Sequence, residues 1–185
     1  MRMRSRRSID LALEITATLL SLAYTWLYLR GVFPGCYVPA FIGSLGFALL
    51  CYRKQLYAET GLHLFYVAMA VYGALGMDGF TAKSLSVSSH LLYISCGALL
   101  TFGLAGYLRR NTASKLPLID SFTTVYSVIA TWLMVTYVHE NWLYWMVVNT
   151  VAFFLYSARK MYIGALLFVV YLAMAIDGYF AIGWF

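Results

Sequence analysis

Charged residues are scarce in this sequence: they fill only 11% of its 185 positions, and just seven are acidic. An average soluble domain has about 25% charged residues. Here 63% of the residues are hydrophobic and 18% are aromatic. This balance excludes an ordinary soluble domain and predicts a chain that is dissolved in lipid.

Cysteine, histidine and paired acidic residues are also scarce. The cysteines at 36, 51 and 96 show no paired spacing, which argues against a disulfide framework or a metal site. The histidines at 63, 90 and 139 fall on separate segments, and no close acid pair lies within an apolar run. The sequence therefore shows no nucleophile with its base, no metal-ligand set and no cofactor motif. An integral membrane enzyme and a small structural subunit nevertheless stay open as alternative functions.

Long apolar runs dominate the chain. A spanning helix needs about 20 apolar residues because the hydrocarbon core is about 30 Å thick. Seven runs can be cut at charged and turn residues: 9–29, 37–52, 57–77, 86–108, 117–138, 141–158 and 161–185. The loops between them are too short for a soluble domain. We therefore predict one all-α membrane domain, residues 1–185, with seven transmembrane helices.

The basic residues predict the orientation, because cytoplasmic loops of membrane proteins are enriched in Lys and Arg. With the N-terminus in the cytoplasm, the outer side holds only Arg30 and Lys83 of the 13 basic residues. The others lie at inner ends: Arg2, Arg4, Arg6, Arg7, Arg53, Lys54, Arg109, Arg110, Lys115, Arg159 and Lys160. The net charge of +6 thus reflects topology and predicts no nucleic-acid partner. Asp10 and Glu14 interrupt the first run and argue against a signal peptide.

The sequence contains an internal repeat. At a shift of 106, Thr25-Trp26-Leu27 matches Thr131-Trp132-Leu133, and after the loss of one residue YVAMAVYG at 66–73 lies on YLAMAIDG at 171–178. Residues 9–77 and 117–185 therefore form two three-helix repeats, and 86–108 is the connecting helix. Because a single helix connects them, both repeats have the same orientation relative to the membrane, as in carriers of the SWEET type. We expect a substrate site near the midplane, between the repeats.

The run ENWLYWMVVN at 140–149 carries a polar and aromatic stripe. Trp142, Trp145 and Asn149 are spaced i, i+3 and i+7, so they share one side of a helix. At the shift of 106 their counterparts are the small residues Cys36, Pro39 and Gly43. This difference predicts that the second repeat presents the recognition groups.

These residues resemble a known family. The run ENWLYWMVVN, the preceding Asp120-Ser121, the Leu-Tyr and Tyr-Gly pairs at 56–57 and 72–73, and the 3+1+3 layout are similar to the PnuC family of bacterial vitamin transporters. The resemblance covers nearly the whole chain. It implies facilitated uptake of nicotinamide riboside, or of a related vitamin such as thiamine or riboflavin, across the bacterial inner membrane. A cytosolic kinase would then trap the substrate.

The resemblance also implies a substrate site that contains Trp142, Trp145, Asn149 and Asp177. Tryptophan faces attract flat cations such as pyridinium, and an amide both donates and accepts hydrogen bonds. A carboxylate within an apolar run, such as Asp177, is functional by default. Family members that carry nicotinamide riboside tend to have Gln at the position of His63 and Asn at that of Asp177. They tend to have Asn and Trp where this chain has Ala70 and Ala74. The identity of the vitamin that this chain carries therefore stays open.

Each of these residues also has a purely structural reading. The two tryptophans fit an interfacial belt, Asn149 fits a helix-to-helix hydrogen bond, and Asp177 fits a border position facing outer water. His63 is either a proton-coupling group or a hydrogen-bonded core residue. The repeat-related Tyr66 and Tyr171 could donate hydroxyl groups to a ligand or simply pack.

The resulting mechanistic hypothesis is alternating access. A vitamin enters past Trp142, stacks near Trp145, hydrogen-bonds to Asn149 and Asp177, and leaves to the cytosol as the repeats rock. The expected partners are this small molecule and the lipid bilayer. The oligomeric state stays open, and a homo-oligomer is compatible with these features.

Overall fold

The computed structural model describes residues 2–53, 57–76, 79–112, 115–158 and 160–185. Lys54, Leu56, Met77 and Arg159, which the sequence analysis used, lie outside these ranges. Within them the chain forms seven helices: α1 (Arg2–Leu29), α2 (Tyr37–Arg53), α3 (Tyr57–Leu75), α4 (Val87–Asn111), α5 (Pro117–Val135), α6 (Asn141–Ala158) and α7 (Tyr162–Phe180). Each predicted apolar run coincides with one helix, so the all-α class is confirmed.

Four helix ends differ from the predicted runs by three residues or more, and one of them is the end of α4, which lies at Asn111 instead of residue 108. Helix α1 begins at Arg2 instead of residue 9, because the basic segment continues the helix. Helix α5 ends at Val135, where the chain turns through Tyr137 at a φ of 59°. Helix α7 ends at Phe180, since Ala181 adopts the left-handed conformation and the last residues fold back. Apolar composition alone carries no information about these turns.

Among the described residues, three helical segments are long and apolar enough to cross a membrane: Ile9–Leu29, Val87–Asn111 and Pro117–Val135. Tyr37–Arg53 and Gly164–Phe180 are shorter apolar segments. The large side chains exposed on the described surface include many leucines and phenylalanines, such as Leu99 at 73% and Phe102 at 67%. A surface of this kind suits a hydrocarbon environment, which supports a multi-pass membrane protein.

The described chain divides into two compact units, Met1–Phe80 and Thr81–Phe185. In the first unit, α1 packs on α2 and α2 packs on α3. Gly43 allows a close approach, because a methyl group there would lie 3.2 Å from the Ala17 carbonyl oxygen. Asp10 forms a 3.0 Å ion pair with Arg53. This ion pair joins α1 to the last turn of α2.

The second unit packs its helices in sequence order, α4 on α5, α5 on α6 and α6 on α7. Its buried core cluster consists of Tyr126, Ala130, Leu133, Val138, Tyr144 and Val148. Gly97 leaves room for Tyr126, whose hydroxyl donates to the Ile94 carbonyl at 2.9 Å. This contact joins α5 to α4.

Several hydroxyl side chains in the helices bond to their own backbone. Ser21 donates to the Ala17 carbonyl at 2.9 Å and Thr25 to the Ser21 carbonyl at 3.2 Å. In α5, Thr131 donates to the Ser127 carbonyl at 2.7 Å. Such bonds to the i−4 carbonyl satisfy hydroxyl groups without a partner helix. These hydroxyl groups therefore need no ligand to account for them.

An aromatic ring lies directly on a glycine in the first unit. Tyr37 is 2% exposed, and a methyl group on Gly73 would overlap its ring. We expect Gly73→Ala to destabilise the protein by about 1–3 kcal/mol, the usual cost of overpacking. Thermal unfolding of the detergent-purified protein measures this.

The control lies on the same helix. A methyl group on Gly61 meets nothing within 4 Å, so Gly61→Ala should be neutral or stabilising by up to about 1 kcal/mol, because alanine favours helix. Equal melting temperatures for the two variants would contradict the packing assigned to Tyr37.

Candidate functional site

Trp142 lies in the first turn of α6 and packs across α7. Its side chain is 6% exposed, and a methyl group on Gly178 would overlap the indole ring. Gly178 directly follows Asp177, so the structure brings Trp142 to the turn of α7 that carries this carboxylate. The absence of a side chain at Gly178 makes this approach possible.

Trp145 and Asn149 lie deeper on α6. Trp145 packs against the buried core cluster of the second unit, and Asn149 is 4% exposed. The Nε1 atom of Trp145 is buried and has no hydrogen-bond partner within the described residues. A buried indole N–H normally has an acceptor, so this donor is an exception within the described structure.

Asp177 uses its carboxylate to hold the segment that follows α7. Its Oδ1 accepts hydrogen bonds from the backbone N–H groups of Gly183 at 2.6 Å and Trp184 at 3.1 Å, and its Oδ2 accepts from Phe185 at 3.3 Å. The side chain is only 5% exposed. The alternative of a border position facing water does not fit this burial. These bonds account for the buried carboxylate without any ligand.

His63 and Tyr66 form a ring cluster in the first unit. The imidazole of His63 stacks on Phe47, with ring centroids 5.0 Å apart and planes at 19°, and contacts Tyr66 edge-on at 5.7 Å. The Nδ1 atom of His63 is buried and has no hydrogen-bond partner among the residues described. The neighbouring rings thus restrict the orientation of the imidazole plane.

The predicted site residues are thus distributed over both units. His63 and Tyr66 belong to the first unit, and Tyr66 is half-buried on α3. Trp142, Trp145, Asn149, Tyr171 and Asp177 belong to the second. Tyr171 is half-buried on α7. Within each unit the structure brings together His63 with Tyr66, and Trp142 with the turn of Asp177.

Sequence reasoning missed a polar network around Glu140. The Ser84 hydroxyl donates to Glu140 Oε1, the Leu85 N–H donates to Oε2 at 3.4 Å, and His90 Nε2 lies 3.7 Å from Oε2. The other ring nitrogen of His90 is 3.0 Å from the Tyr144 hydroxyl. The two halves of this network are more than 50 residues apart in sequence, so no local pattern reveals it.

The charge of Glu140 is stabilised by these neighbours. Burial by itself would raise the pKa of this carboxyl, but the hydrogen bonds from Ser84 and from backbone N–H groups, together with His90, outweigh burial and hold the pKa below its ordinary value. Glu140 is therefore ionised at neutral pH. Among the described residues, no three His, Cys, Asp or Glu side chains lie close enough together to hold a metal ion.

Comparison with known proteins gives a consistent result. A family model described as nicotinamide mononucleotide transporter matches residues 11–185. A Neisseria mucosa protein named nicotinamide riboside transporter PnuC is 31% identical over 152 residues, which cover 72% of this chain and 57% of that protein. The chain thus spans little more than half of this relative's length. A solved structure titled as the vitamin B3 transporter PnuC matches with a TM-score of 0.73 and 25% identity, over 91% of this chain and 79% of that one.

The role of Asp177 as an anchor for the last residues can be tested. Asp177→Ala leaves the N–H groups of Gly183, Trp184 and Phe185 without their acceptor, so we expect a loss of about 1–3 kcal/mol in stability. Hydrogen exchange at residues 183–185 should become faster, and Asp177→Asn, which keeps one carbonyl oxygen, should have a smaller effect.

Mass spectrometry of the exchanged C-terminal peptide and thermal unfolding measure both effects. If exchange stays unchanged in Asp177→Ala while binding of a vitamin is lost, Asp177 contacts the substrate directly and the anchoring role is wrong.

Proposed function

The chain belongs to the nicotinamide mononucleotide transporter family, and on this premise we propose that it carries nicotinamide riboside, or a related vitamin such as thiamine or riboflavin, into the cell. The family is one of transporters, so the alternatives of an integral membrane enzyme or a structural subunit are set aside. The proposed carrier is a facilitator: substrate moves down its gradient, and phosphorylation in the cytosol keeps the gradient steep.

The observation that carries this proposal is a pair of buried ring nitrogens. Trp145 Nε1 and His63 Nδ1 are both without a hydrogen-bond partner in the described parts of the chain, and both are surrounded by aromatic or apolar side chains. Buried polar atoms are rarely left unpaired, because the lost hydrogen bond costs about 1–3 kcal/mol. In either unit, a flat, polar ring as ligand would supply a stacking surface and the missing partner.

The charges of the chain favour a substrate without phosphate. Between residues 55 and 82, 84 and 108, 116 and 158, and 161 and 185 the sequence has no Lys or Arg. A phosphate group carries a charge of about −1.5 to −2 at pH 7 and would need cationic partners inside the membrane. We therefore propose the riboside or another unphosphorylated vitamin, although the family description names a mononucleotide.

We assign the binding roles as follows. Trp142 and Trp145 contact the ring of the substrate, where a cation over an indole face gains about 0.5–2 kcal/mol. Asn149, buried within α6, hydrogen-bonds to the carboxamide or sugar. His63 offers Nδ1, and Tyr66 and Tyr171 offer hydroxyl groups. Asp177 supports the site by holding residues 183–185 beside the turn of α7 that Trp142 contacts.

Two local features support the proposed 3+1+3 repeat. The N–H of Val32 bonds to the Leu27 carbonyl, and the N–H of Val138 bonds to the Leu133 carbonyl. The donor and the acceptor of the second bond each lie 106 residues after those of the first. The ring of Tyr37 lies on Gly73, and the ring of Trp142 lies on Gly178. Each residue of the second contact lies 105 residues after its counterpart in the first. In the alignment of the two repeats, these contacts favour Tyr37 over Cys36 as the counterpart of Trp142. The shift therefore changes from 106 to 105 before α2.

The remaining parts of the proposal concern topology. The bias of basic residues supports an N-terminus in the cytoplasm and a C-terminus outside. We propose a bacterial inner-membrane location and alternating access, in which the two repeats expose the site first to one side and then to the other. Association of several copies is compatible with the exposed apolar face of α4.

Binding to purified protein tests the substrate and the site together. Isothermal titration should give saturable binding of one vitamin, with no competition from nicotinamide mononucleotide. Asn149→Ala should weaken this binding about tenfold or more, because a buried amide that bonds to the ligand is lost.

The matched control is Asn111→Ala, which removes an exposed amide at the end of α4 and should leave binding unchanged. Full binding by Asn149→Ala would exclude the proposed site. Competition by the mononucleotide equal to that by the riboside would exclude the argument from charge.

A further inference from the structure

The segment before α4 is joined to the turn before α6. The Lys83 N–H donates to the Tyr137 carbonyl at 2.9 Å, and the His139 N–H donates to the Lys83 carbonyl at 2.8 Å. Lys83 and Val138 form an isolated parallel β-bridge. This bridge places Glu140, two residues after Val138, at the beginning of α4.

The carboxylate of Glu140 lies at the N-terminal end of α4. It accepts from Ser84 and Leu85, and His90, in the first turn of α4, approaches it to 3.7 Å. Ser86 caps the same helix by accepting from the Ser89 N–H at 3.3 Å. A helix N-terminus favours a negative charge, so several independent interactions hold Glu140 in this position.

His90 connects this carboxylate to the first turn of α6. Its Nδ1 is 3.0 Å from the hydroxyl of Tyr144, which is itself 9% exposed and belongs to the core cluster against which Trp145 packs. The side chains of His90 and Glu140 are only 17% and 18% exposed. Loss of a polar neighbour at such shielded positions has a larger effect than at the surface, because water does not replace the lost interaction there.

We propose that Glu140 is a positioning residue for the vitamin site: through His90 and Tyr144 it fixes the first two turns of α6 and hence the orientation of Trp145. This inference rests on the proposed transport function. A preorganised indole binds a flat ring more tightly, because less ordering is needed when the ligand arrives. Glu140 touches no substrate in this account.

Transport kinetics separate positioning from general support. Glu140→Gln keeps the size of the side chain and one acceptor oxygen, but removes the charge. In proteoliposomes containing equal amounts of folded protein, we expect the half-saturation concentration for the vitamin to rise about tenfold, while the maximal rate stays within about twofold. His90→Gln should have a similar effect, and the double variant should be no worse than the more impaired single variant, because both act in one network.

The matched control is Glu59→Gln, an exposed carboxylate in the first turn of α3, which should change neither constant. If Glu140→Gln lowers the maximal rate or the yield of folded protein while the half-saturation concentration stays constant, Glu140 only supports the fold and the inference is overturned.

A second measurement needs no substrate. In protein labelled with 5-fluorotryptophan, the ¹⁹F signal of Trp145, assigned through Trp145→Phe, should shift or broaden in Glu140→Gln and in His90→Gln. The signal of the exposed Trp26 should stay in place. An unchanged Trp145 signal would overturn the inference. Failure of the wild-type protein to transport any vitamin would contradict the proposed function alone, because the spectrum still decides whether Glu140 orients Trp145.

Discussion

A hydrocarbon solvent offers no hydrogen bonds, and most features of this chain follow from that constraint. Backbone groups are satisfied within helices, and hydroxyl groups such as that of Thr131 bond to the carbonyl one turn earlier. The buried carboxylate of Asp177 is satisfied by backbone N–H groups. Against this background, the ring nitrogens of His63 and Trp145 stand out, because neither has a hydrogen-bond partner in the described parts of the chain. The proposed function assigns a polar ligand to them.

Close approach of aromatic rings to glycine gives both units a similar local construction. Tyr37 rests on Gly73 and Trp142 on Gly178, in each case between the second and third helix of a proposed repeat. The copies then differ in what surrounds this contact. Only in the second unit does the ring belong to a stripe with a second tryptophan and an amide, Asn149. In the proposed account, the tryptophan and amide groups lie in one of the two repeats, which fits a carrier that moves an asymmetric molecule.

The sequence predicts the seven helices because each apolar run is bounded by charged or turn residues. The length of such a run, close to that of a membrane-spanning helix, then predicts a helix. The sequence also predicts the stripe from Trp142 to Asn149, which depends only on helical spacing. It does not predict the bonds of Asp177, since the partners are backbone groups and any residues at 183–185 could provide them. The network of Glu140 depends on pairing Lys83 with Val138, a contact between distant segments that leaves no periodic signal.

The central claim is that this chain carries an unphosphorylated vitamin down its gradient. Counterflow in proteoliposomes tests it most directly: vesicles loaded with unlabelled nicotinamide riboside, thiamine or riboflavin are diluted into the labelled compound without ATP or an ion gradient. The account predicts transient, saturable accumulation of label for one of these vitamins and none for nicotinamide mononucleotide. Absence of accumulation for all three vitamins, with protein that remains folded in the vesicles, would contradict it.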